Sequence, residues 1–61
     1  MTAEEKKILS DSLYVSYLAE FNAAKAAFRD CVKLNSVDIW AQGVEHMQKA
    51  DKINLMRLAL V

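Results

Sequence analysis

Three basic side chains, Lys25, Arg29 and Lys33, are spaced four apart in the stretch NAAKAAFRDCVK. On a helix that spacing stacks them into a single ridge, which Asn22 extends. A cationic ridge supports two kinds of chemistry. It can grip the phosphates of a nucleic acid, or it can steer association with an acidic protein surface. Asp30, Asp38, Glu45 and Asp51 keep the neighbourhood near neutral, and the ridge offers no evident aromatic platform for base stacking. The residues therefore favour a solvated, protein-facing ridge over a phosphate grip, with a small nucleic-acid-binding dimer as the alternative.

Catalytic chemistry finds less support. Cys31 lies beside Phe28 and Val32, the setting of a small core residue rather than of a thiol activated by cations or a helix N-terminus. His46 has no Asp, Ser or second His at helical spacing, so it reads as an ordinary surface or interface residue. With one Cys and one His, the usual zinc patterns cannot be assembled. No catalytic, cofactor-binding or metal-binding residue is expected, and the chain is not expected to be an enzyme.

The elements that must carry these residues are helices. The 61 residues contain no proline and one glycine, with an excess of Ala, Leu, Lys, Glu and Met, all good helix formers. Thr2 and Glu5 have the spacing of a capping box. From there Tyr14, Tyr17, Phe21, Ala24, Phe28 and Cys31 step by three and four, as one helical face does. A second face runs through Val37, Trp40, Val44, Met47, Leu55 and Leu58. Between them stands LNSVDIW, residues 34 to 40. Asn35 tolerates the left-handed conformation that ends helices, Ser36 is a strong N-cap, and Asp38 suits the first turn of a new helix. The expected fold is all-α: one domain over residues 1–61, with a helix over 3–34, a turn at 35–36 and a helix over 37–60.

A short turn makes the helices antiparallel neighbours. Pairing residue i with roughly 71 minus i sets Trp40 level with Cys31, Met47 with Ala24, Asn54 with Tyr17 and Leu58 with Leu13. The seam expected inside the hairpin is the Trp40–Val44–Met47 face. Ile39, Gly43, Ala50 and Ile53 then form a second apolar stripe, which predicts an oligomer interface, and a homodimeric four-helix bundle would bury it. Asp51 and Asn54 interrupt the first face, where polar groups could fix register, and Asn54 is placed to bond Tyr17.

Net charge is zero, eight basic against eight acidic residues, so no overall field drives the chain to nucleic acid or anionic lipid. The opening MTAEEKKILSDS has no apolar core of a secretory signal, and no run of about 18 apolar residues could span a bilayer. A lone thiol without export features suits the cytoplasm. In size and layout the chain resembles the small helical accessory proteins encoded in the early regions of lambda-like phages. That resemblance implies a regulatory protein that binds host or phage proteins. The expected partners are a second copy of the chain and another, unidentified protein, with no membrane role. Lys25, Arg29, Lys33, Asp38 and Trp40 are the residues expected to contact that protein.

Overall fold

The computed structural model describes residues 1–60; Val61, the end of the apolar C-terminal run, lies outside them. Helix α1 is Ala3–Leu34 and helix α2 is Val37–Leu58. Packed side by side, they make a hairpin rod of 48 × 13 × 11 Å. The second helix ends two residues short of the expected position 60.

Local chemistry sets each boundary. At the start of α1 the Glu5 N–H donates to Thr2 Oγ1 and the Thr2 N–H donates to Glu5 Oε1, both at 3.1 Å. Two N–H groups that the helix itself cannot satisfy are thereby paired. Glu5 is held below the usual carboxylate pKa by the hydrogen bond from the Thr2 backbone, then by that with the Thr2 side chain. The box contributes fully above the ordinary Glu pKa and is lost as pH falls through the lowered one. Protection of the first-turn amides of α1, corrected for the intrinsic pH dependence of exchange, should therefore fall in acid, and Glu5→Gln, which keeps the acceptor but cannot titrate, should abolish that pH dependence.

At the other end Asn35 turns left-handed, with φ 48° and ψ 49°, a conformation that Asn accepts at less cost than most residues. Its N–H and that of Ser36 both donate to the Cys31 carbonyl. Ser36 is extended, and its hydroxyl accepts from the Ile39 N–H at 3.3 Å. Lys33 in the last turn of α1 and Asp38 in the first turn of α2 each complement the local helix dipole. Two residues thus reverse the chain without glycine or proline.

The seam between the helices is built from small residues. Ala24 and Ala50 are both 0% exposed, and Gly43 is buried with them. The ring of Phe28 lies so close over Gly43 that a Cβ there would sit 2.7 Å from its Cε1. This corrects the expected rotation of α2. Gly43 and Ala50, with half-buried Ile39 and Ile53 beside them, belong to the interior of the hairpin rather than to a separate stripe. Val37, Trp40, Leu55 and Leu58, expected inside, are exposed, while Val44 and Met47 are half-buried. Size is the reason. Gly and Ala let the helix axes approach and bring backbone and Phe28 into contact, whereas Trp40 and Leu58 in the seam would hold the axes apart.

Candidate interaction surface

Three surfaces carry the chemistry of this chain: a polar flank, an aromatic cluster and an apolar face. On the polar flank His46 Nδ1 of α2 and Glu20 Oε2 of α1 lie 2.6 Å apart, both part-buried. This is the cross-hairpin partner that helical spacing within α2 could not reveal for His46. The pair joins residues 26 apart in sequence, so only the folded register brings them together.

The aromatic cluster occupies the end of the hairpin away from the turn. Tyr14, Tyr17 and Phe21 stack along α1 with centroid separations of 6.3 and 5.7 Å. The Arg57 guanidinium of α2 spans the first two rings, 5.0 Å from Tyr14 and 5.9 Å from Tyr17. A cation over two ring faces is held by their quadrupoles. Arg57 Nη2 also donates to Asn54 Oδ1 at 2.8 Å, while its buried Nε has no acceptor. Asn54 is half-buried and bonds Arg57 rather than the expected Tyr17; Asp51 is exposed. Arg57 is thus held by ring stacking and one hydrogen bond, and it forms no ion pair among the described residues.

The apolar face is the third. At 100° per residue, Tyr14, Leu18 and Val32 lie roughly 80–130° round from the seam on α1, and Trp40, Val44 and Leu58 lie similarly on α2. Because α2 runs antiparallel, one sense of rotation carries both stripes to the same side of the rod. The polar pair Glu20–His46 falls on the other side. Trp40 is 52% exposed near the turn and Leu58 54% at the other end, so the face opens to solvent along most of the two-helix overlap. Lys25 and Asp51 are set into it. One is positive and one negative, so the charges on the face cancel.

The basic ridge lies along the α1 edge of this face and is already engaged in part. Lys25 Nζ stands 5.5 Å over the Phe21 ring, and Arg29 Nε is 3.8 Å from Asp30 Oδ1. Lys33 and Asp38 are exposed near the turn, as is Trp40. Cys31 is half-buried, its thiol donating to the Phe28 carbonyl at 3.0 Å. Among the described residues there is no cavity, no group of three metal-ligating side chains, and no helix long and apolar enough to cross a membrane. No family model matches the chain, and no curated protein or solved structure shows significant similarity to it.

Proposed function

We propose that the chain is a small non-enzymatic interaction module of regulatory or adaptor type, which acts by burying its apolar face against protein. The observation that carries this reading is the face itself. Apolar side chains of both helices converge on one side of the rod, while Glu20, His46, Gln42 and Lys49 occupy the opposite side. Contiguous apolar surface rimmed by charge marks a protein contact on a soluble chain, and a half-exposed Trp is the side chain that most often anchors one. The ridge of Lys25, Arg29 and Lys33 borders the anchor and steers an acidic patch of the partner toward it. A lone thiol suits cytoplasmic work, and the phage accessory proteins that the chain resembles in size and layout have the same kind of role.

Two sets of substitutions test this reading by affinity capture from the native host, scored against wild type. Leu18→Ser with Trp40→Ser should lose the captured protein. Replacing Lys25, Arg29 and Lys33 together by Glu should leave helicity unchanged, since exposed ion pairs contribute roughly 0–1 kcal/mol. The same triple change should slow association about tenfold or more at low salt. A partner retained by both variants would refute the reading. Steeply salt-dependent binding to generic RNA or DNA would instead assign the ridge to phosphates.

A further inference from the structure

We propose that the occupant of the apolar face is a second copy of this chain, joined through Tyr14, Leu18, Val32, Trp40, Val44 and Leu58 into a four-helix bundle. This rests on the reading of the face as a protein contact and names the partner. The first observation is the surface itself. A folded monomer of this 6.9 kDa mass ordinarily exposes about 4,000 Å², whereas the hairpin exposes 4646 Å². The excess, roughly 600 Å², approaches the 800 Å² or so that each partner contributes to a stable interface.

The interior points the same way. Among the described residues no large side chain is fully buried, and the buried apolar core consists of Ala24 and Ala50. The radius of gyration is 14.3 Å, against about 10.5 Å for a compact domain of this length. Two helices form one layer, and a layer needs a second one to enclose a core. Charge permits the second layer to be identical. Lys25 and Asp51 cancel within the face, and the whole chain is neutral, so two copies meet without net repulsion. A two-fold axis would place each apolar stripe against a stripe of its own kind, the self-complementarity that isologous interfaces require.

The interface differs from the Ile39–Gly43–Ala50–Ile53 stripe expected from the sequence, because that stripe is consumed inside the hairpin. Trp40 is the single tryptophan of the chain, which makes its emission a reporter of this face. Sedimentation equilibrium of wild type at tens of micromolar should give twice the chain mass. Dilution through dissociation should shift Trp40 emission to the red and raise its quenching by acrylamide. Leu18→Glu should weaken self-association about a hundredfold by placing an unpaired charge in the contact, while Gln42→Glu on the polar flank should leave it unchanged. The wild-type fluorescence reads the interface even if Leu18→Glu fails to fold. A single-chain mass at all concentrations would overturn self-pairing and leave the face free for a different protein, which the capture experiment decides. A dimer whose Trp40 stays equally quenchable upon dilution would overturn the choice of face.

Discussion

Replacing Phe28 by alanine should cost the hairpin about 2–3 kcal/mol and should reverse the sign of a second substitution, Gly43→Ala. Phe28 is half-buried, so the loss is set below the roughly 3–5 kcal/mol of a fully buried ring. At Gly43 two effects oppose each other. Alanine favours the helix by about 1 kcal/mol over glycine. Its Cβ, however, would lie 2.7 and 2.8 Å from two ring carbons of Phe28, and overpacking of this kind costs roughly 1–3 kcal/mol. With the ring present, Gly43→Ala should destabilise by about 1 kcal/mol; with the ring removed, it should stabilise by a similar amount. Thermal or urea unfolding of the four proteins in this double-mutant cycle gives the coupling directly, about 2 kcal/mol. Independent effects at the two positions would mean that the ring does not rest on Gly43.

Ala24→Leu and Ala50→Leu should each destabilise by about 2–3 kcal/mol, a large fraction of the roughly 3–9 kcal/mol typical of a chain this size. Both alanines are 0% exposed and lie between the helices. Leucine has nearly the helix propensity of alanine, so any loss reports packing alone. The same change at exposed Ala19 serves as the control and should stay within about 0.5 kcal/mol. If Ala24→Leu and Ala19→Leu melted together, the helices would not be in close contact at Ala24. Leucine at Ala24 or Ala50 should also alter the proposed self-association, because separating the axes widens the exposed apolar face.

Parts of this architecture are legible in the residues because they depend on neighbours in the chain. Thr2 and Glu5 satisfy each other's N–H groups across three positions, Asn35 ends α1 in the left-handed conformation, and Ser36 caps α2 through Ile39. The approximate register was accessible as well, since a two-residue turn leaves little freedom. Phe28 over Gly43 and Arg57 over Tyr14 both conform to the pairing of i with roughly 71 minus i. The basic ridge, too, follows from spacing alone.

The rotation of α2 about its own axis was not accessible. Two apolar stripes share that helix, one of small residues and one of Trp40, Val44 and Leu58, and both repeat with helical period. Periodicity ranks them by hydrophobicity, which favours the larger stripe. Packing ranks them by how closely the axes can approach, which favours Gly43 and Ala50. The pairing of His46 with Glu20, the stacking of Arg57 on two tyrosines and the exposure of Trp40 all follow from that one rotation. By itself the sequence determined the helices, the start of each, the end of α1 and the reversal between them, because caps and turns are contests among groups a few residues apart. Only the tertiary structure decided which face is inside and which is left exposed, because that choice turns on the distance between two helix axes.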